Sequence, residues 1–230
     1  MWNAAAWFGA LLATVLLGAC GGPPPNPATL LSEAKQSVDG AQTAHFELST
    51  SNTKGLSGTA LLGGSGDIKR PSSFAGTLQV SAVGLEVSVQ VVSVGGTFYA
   101  RDPLTGRFTV TDPATYGFGD PGALFNPQTG LSSLLLVCQQ ASTASDDRLN
   151  GEQLHEVSCT LPGRPVASLL TSADPSKPVS ATIGVNADSG QLRRVVMTGP
   201  FFSATMPSTF TLVLDKYGEN VSITPPAAAS

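Results

Sequence analysis

Charge is scarce in this chain. Asp, Glu, Lys and Arg together make up 12% of its 230 residues, and no basic cluster is longer than Lys69-Arg70 or Arg193-Arg194. That excludes nucleic acid as a partner, because phosphate binding needs a concentrated basic face. Histidine occurs only at His45 and His155, and cysteine only at Cys20, Cys138 and Cys159. The chain contains no H-E-x-x-H, no G-x-S-x-G and no P-loop, the motifs that would mark a zinc protease, a serine hydrolase or a phosphate-binding loop. His45 and His155 stand alone on strand-like stretches, and Asp112, Asp120, Asp146 and Asp147 lie in Pro- or Ser-rich loops, as solvated acids or helix caps do. No nucleophile, base and orienting group assemble from these residues, so neither an enzyme nor a cofactor is expected. Beyond the N-terminus there is no further long apolar run, hence no second membrane span.

What is present begins at that N-terminus. Residues 4–19 carry no charge and are mostly Ala, Leu, Val and Gly. An apolar run this short, closed by small residues, reads as a secretory leader rather than a spanning helix. It ends Leu16-Leu17-Gly18-Ala19-Cys20, which resembles a bacterial lipobox. There a peptidase cleaves before the Cys, whose sulfur carries a diacylglyceryl group, with palmitate among the expected acyl chains. Residues 1–19 are therefore expected to be a signal peptide. Residues 20–27, with the lipidated Cys20 and Gly21-Gly22-Pro23-Pro24-Pro25-Asn26-Pro27, are expected to form a tether that neither helix nor central strand can use. A plain signal peptide with an incidental Cys is the alternative. Residues 1–7 contain no Lys or Arg, unlike the basic start of most leaders; a start farther upstream would explain this.

The remainder suits one extracytoplasmic domain over residues 28–226, with a short tail at 227–230. Gly numbers 25 and Pro 17, and Val, Thr and Ser are abundant, which favours strands and turns over helix bundles. With Cys20 lipidated, Cys138 and Cys159 remain as a pair, and a disulfide is the default in an oxidising compartment. Both flank the turn signal Asn150-Gly151 at similar distances. The bond would close a loop worth ~3 kcal/mol in the chain-entropy account. A free buried pair is an alternative, as is a metal site, which would need two more ligands beside the cysteines.

Apolar spacing predicts a helix at 28–41, with Leu30, Leu31, Ala34, Val38 and Ala41 on one stripe. Strands are expected at 44–52, 56–63, 73–82, 85–94, 97–101 and 107–111. Residues 73–82 and 85–94 alternate apolar and polar side chains and form a hairpin. A Gly/Pro-rich stretch at 116–130 leads to a helix at 131–137. After the cysteine hairpin come a helix at 165–172 and strands at 179–186, 191–198, 208–216 and 220–224. The pattern is α+β, with one large antiparallel sheet and a few helices.

Several segments resemble the LppX/LprA/LprF/LprG family of actinobacterial envelope lipoproteins. They are Ala44-His45-Phe46; Gly95-Gly96-Thr97-Phe98-Tyr99-Ala100; Asp120-Pro121-Gly122-Ala123-Leu124-Phe125-Asn126-Pro127-Gln128-Thr129-Gly130-Leu131; Leu149-Asn150-Gly151; and Lys216-Tyr217-Gly218-Glu219-Asn220-Val221-Ser222-Ile223. Their order and spacing span nearly the whole mature chain. Two departures are Gly184 and Tyr217, where the family often has Trp, and the Cys138/Cys159 pair, which is not general in it. The resemblance implies a curved antiparallel half-barrel similar to the carrier LolA, with helices on its concave face and an apolar cavity between. It implies binding of acylated lipids or lipoglycans and their carriage from the plasma membrane across the periplasm. It implies a monomer held to the extracytoplasmic face of the cell membrane by its lipid anchor, with a membrane lipid transporter as a further partner. Leu78, Val80, Val87, Val89, Val91, Phe98, Ile183, Val185, Phe210 and Leu212 are the expected cavity lining, and residues 116–130 the mouth or lid. A non-catalytic scaffold with a filled core is the alternative.

Both tryptophans, Trp2 and Trp7, lie in the leader. The purified mature protein should therefore emit as a tyrosine-only protein, and its mass should lack residues 1–19. A tryptophan emission band would show that the leader is retained.

Overall fold

A computed structural model of the protein describes residues 25–82 and 84–227. The leader, Cys20 and most of the proposed tether lie outside the described residues. The chain runs from helix α1 (Pro27–Gly40) into strands β1 (Thr43–Ser51), β2 (Ala60–Lys69), β3 (Ser73–Ala82), β4 (Leu85–Val94), β5 (Thr97–Arg101) and β6 (Phe108–Val110). Two 3₁₀ turns, Pro113–Tyr116 and Pro121–Ala123, precede helix α2 (Leu131–Leu136). Strands β7 (Gln139–Thr143), β8 (Asp147–Leu149) and β9 (Glu152–Leu161), helix α3 (Gly163–Leu169), and strands β10 (Val179–Asn186), β11 (Leu192–Gly199) and β12 (Ser208–Asp215) complete it.

All twelve strands join one antiparallel sheet, in the order β6-β5-β4-β3-β2-β1-β12-β11-β10-β9-β7, with β8 also on β9. Two meanders thus meet where the first strand pairs with the last, Phe46 opposite Leu214 and Leu48 opposite Leu212. Alternation decides the faces. Phe46 and Leu48 on β1, and Phe210, Leu212 and Leu214 on β12, are buried, while Glu47 is exposed. On the hairpin, Leu78 pairs with Val89 and Val80 with Val87. The helices cover this apolar face. Leu30, Leu31, Ala34 and Val38 of α1, and Leu131, Leu134 and Leu135 of α2, join the same core.

Two features of the β2–β3 ladder allow the sheet to curl. A bulge falls between Leu61 and Gly63, and Gly66 stands opposite Gly76. A Cβ on Gly76 would lie 2.3 Å from the Ser65 carbonyl oxygen, and one on Gly66 would lie 2.4 Å from that of Ala75. The Phe74 ring lies over both glycines and meets Phe46 edge-on. Bulges and paired glycines are how a wide sheet curls without breaking its ladder.

Four expectations need correction. Residues 220–224 form no strand. The second strand begins at Ala60, not at residue 56, and runs on to Lys69, because its glycines hide the alternation. Leu85 keeps the parity of Val87 and Val89 yet is 69% exposed; the neighbouring β5 reaches only as far as the Val91–Ala100 pair, so nothing covers the hairpin tip. The helix expected at 165–172 begins two residues earlier, at Gly163.

Gly76→Val forces a side chain into backbone. It should lower unfolding stability by about 2–4 kcal/mol in a denaturant titration.

Candidate functional site

Between the centre of the sheet and its cover lies an apolar hollow. Its sheet wall is Phe46 and Leu48 of β1, Leu61 of β2, Leu78 of β3, Met197 of β11 and Leu212 of β12. Its cover is Phe118, Pro121 and Leu124 from the loop before α2, Leu131 and Leu134 of α2, and Leu169 and Leu170 at the end of α3. Asp120 is the one charged residue at the wall, and its carboxylate is already engaged. It accepts hydrogen bonds from Ser93 Oγ at 2.6 Å and from the Gly122 amide at 2.9 Å. Asp112 likewise caps the turn that follows it.

The hollow is narrow. Its volume is about 70 Å³. Pockets that enclose a small-molecule ligand commonly measure about 300–1,000 Å³. The large cavity implied by resemblance is thus a slot here, because the cover's own Phe and Leu side chains fill much of the bowl.

Of the ten expected lining residues, Leu78 and Leu212 face the slot. Val80, Val89, Val91, Phe98, Ile183, Val185 and Phe210 are buried elsewhere in the continuous core, and Val87 is half-buried against it. Phe98 packs edge-on against Phe118, and Phe210 against Phe201. Alternation on β1 marks Phe46 and Leu48 as inward. The cover residues sit in a Gly/Pro-rich stretch and two short helices, where no periodicity singles them out.

Specific contacts hold the cover down. Phe118 bridges Leu170, and the Gly119 amide donates to Leu169 O at 3.1 Å. Gly130 turns the chain into α2 where a Cβ would lie 2.3 Å from Leu124 O. Ser132 Oγ donates to Asp39 at 2.6 Å, tying α2 to α1. Arg70 donates to Val38 O and Ala41 O, both at 2.8 Å, closing the end of α1, and lies over the Phe125 ring. Just past α2, Cys138 is joined to Cys159 of β9, so this end of the cover is fastened covalently to the sheet.

Little here serves catalysis. His45 pairs with Asp67 at 2.7 Å and His155 with Asp146 at 3.1 Å. Asp147 and Glu156 both engage Arg194. Residues 117–122 have G-x-G-x-x-G spacing, but they join two 3₁₀ turns of an antiparallel fold, without the βαβ unit that gives that spacing meaning. Among the described residues no group of three or more His, Cys, Asp or Glu could hold a metal ion, and no helix is long and apolar enough to cross a membrane.

A curved antiparallel sheet whose apolar face is closed over a slot by short helices is the architecture of one class of lipoproteins. Residues 26–223 match the family described as LppX_LprAFG lipoprotein, and the chain belongs to it. It is 26% identical over 214 residues to the lipoarabinomannan carrier protein LprG of Mycobacterium bovis, covering 90% of this chain and 84% of that one. It is 25% identical to LprG of Mycolicibacterium smegmatis, covering 90% and 85%. Among solved structures it is similar to LprF from Mycobacterium bovis, with a TM-score of 0.72 at 18% identity, covering 90% of this chain and all of that one. It is also similar to LppX from Mycobacterium tuberculosis, with a TM-score of 0.61 at 18% identity, covering 85% and 98%.

The Asp39 carboxyl links cover and core. Burial raises its pKa, but hydrogen bonds from Lys35 and Ser132 and the charges of Lys35 and Arg70 outweigh this, so it lies below the ordinary 3.8. A lowered folded pKa adds stability that is complete above the unfolded value and is lost as pH falls through the folded value. The stability gap between the wild type and Asp39→Asn should therefore be largest near neutrality and shrink below pH 3.8, as read by denaturant titrations across pH.

Proposed function

We propose that this protein is a membrane-anchored lipoprotein that holds the acyl chains of a lipid or lipoglycan between sheet and cover and carries it from the plasma membrane across the periplasm. The observation that carries the reading is the slot itself, whose wall is apolar apart from one already bonded carboxylate. A sixteen-carbon chain costs about 12 kcal/mol to expose to water at ~0.8 kcal/mol per methylene, so a lipid leaves a bilayer at useful rates only into a surface of this kind. The LprG relatives are carriers of lipoarabinomannan by name, which supports an acylated glycolipid as cargo. Cys20 supplies the anchor and the residues between it and α1 the tether, on the extracytoplasmic face; Pro27, expected in the tether, opens the helix instead, with Asn26 as its cap. The domain acts as a monomer and meets a membrane lipid transporter at loading or release.

Uptake in this reading widens the slot. The cover is fastened covalently at Cys138, whereas the strip at Phe118–Gly119 rests on α3 through few hydrogen bonds. Opening therefore starts at that strip, with the fastened end of α2 as pivot. The narrowness of the slot favours the other reading, a scaffold lipoprotein with a filled interior.

Mass spectrometry of lipids extracted from the Cys20-less protein, made in an actinobacterial host, separates the two. The wild type should yield a stoichiometric acylated lipid, and Leu78→Trp, which fills the slot, should lose it while keeping the wild-type circular dichroism spectrum. A wild type that yields no lipid leaves the scaffold reading.

A further inference from the structure

Leu61 and Met197 place the rim of the slot, taken as its mouth, toward the end of the sheet where β2 begins and β11 ends. There Ala60, Gly117 and Thr171 border a polar recess, each one residue from the slot-lining Leu61, Phe118 and Leu170. A projecting lip flanks this recess, formed by residues 51–60 between β1 and β2 and residues 199–208 between β11 and β12. The two loops brace each other. Ser208 Oγ donates to Asn52 O at 2.8 Å, and Gly55, at φ +86°, leaves no room for a Cβ beside Ser203.

The lip's composition is unlike that of the rest of the surface. Met206 is exposed, and Leu56 and Phe202 are half-exposed. Lys54 is the one charged residue in the two loops; every other polar side chain there is Ser, Thr or Asn. Leu85, 69% exposed, stands at the tip of the β3–β4 hairpin at the same end of the sheet. At the opposite end the turns carry Asp146, Asp147, Glu152, Asp188, Asp215 and Glu219 among Arg148, Arg193, Arg194 and Lys216; near the lip Asp174 stands beside Lys177 and Glu86 follows Leu85. The two lip loops themselves carry a single charge, the positive one of Lys54, in a chain of net charge −4. Exposed Leu, Phe and Met side chains among hydroxyls, with a lysine beside them, suit the headgroup–acyl boundary.

We propose that this lip is a membrane-docking surface that seats the mouth of the slot against a phospholipid bilayer. The proposal rests on the carrier reading for its purpose. A lipid passing between bilayer and slot without crossing water needs the mouth pressed to the membrane, and the lip borders the recess beside the mouth.

The sheet and its core lie within residues 25–227, and that stretch contains no tryptophan, so one introduced indole reports alone. In protein lacking residues 1–20, Met206→Trp should shift to the blue and be quenched by phosphatidylcholine–phosphatidylglycerol vesicles with brominated acyl chains. Ser189→Trp, in the turn at the other end of β11, should do neither. Adding Lys54→Glu should weaken partitioning of the Met206→Trp protein about five-fold or more, at ~1 kcal/mol per surface charge. Quenching absent at Met206→Trp, or equal at both positions, overturns the proposal. If quenching is absent while these proteins still yield extractable lipid, the slot binds lipid and the lip serves a protein partner instead. Selective quenching without extractable lipid upholds docking and removes the carrier reading.

Discussion

Two backbones pressed together without side chains between them govern the shape of this molecule. Where β2 meets β3, Gly66 and Gly76 face each other so closely that a Cβ on either would enter the neighbouring carbonyl. The Phe74 ring supplies the contact area the glycines lack, and Phe46 meets that ring edge-on. A twelve-stranded antiparallel sheet left flat would present an apolar face too broad for three short helices to cover. Curled here, the same face turns inward, and α1, α2 and a loop suffice to cap it.

The cap shares the apolar core with the sheet, and a few directed bonds fix its position. Arg70 gathers the carboxyl end of α1 and the Phe125 ring, Asp39 joins α1 to α2, and the disulfide fixes the chain just beyond α2. The strip at Phe118 and Gly119 is held differently, by the packing of the buried Phe118 ring against Phe98 and by few hydrogen bonds. One side of the slot is thus fixed covalently and the other by apolar packing.

Much of the architecture was legible in the sequence. Strands 73–82, 85–94 and 179–186 have the expected boundaries because clean alternation is enforced by one buried and one wet face. The helix at 27–40 follows from its stripe of Leu30, Leu31, Ala34 and Val38. Glycine blurred the second strand, since residues without side chains carry no pattern. The tail at 220–224 kept a strand-like composition but lies beyond the end of β12, where the register had already run out. The slot was half legible. Its sheet wall follows from parity, but parity cannot distinguish Leu78, which faces the slot, from Val89 opposite it, which packs into solid core. That distinction depends on what the cover places above each residue, and the cover is written in a stretch of Gly, Pro and short helices with no period to read.

The pairing of β1 with β12 has a consequence for how the protein is made. Strands β1 to β6 are consecutive neighbours and can zip as they emerge, but the inner edge of β1 stays bare until the final strand arrives about 160 residues later, and pairing across such a separation is slow to nucleate. The core therefore stays incomplete until β12 is available, and the last step of folding is the closure of the two halves of the sheet along β1. A chain released in order from its amino end can form one wing early, yet it reaches the native state only when its final strand is free.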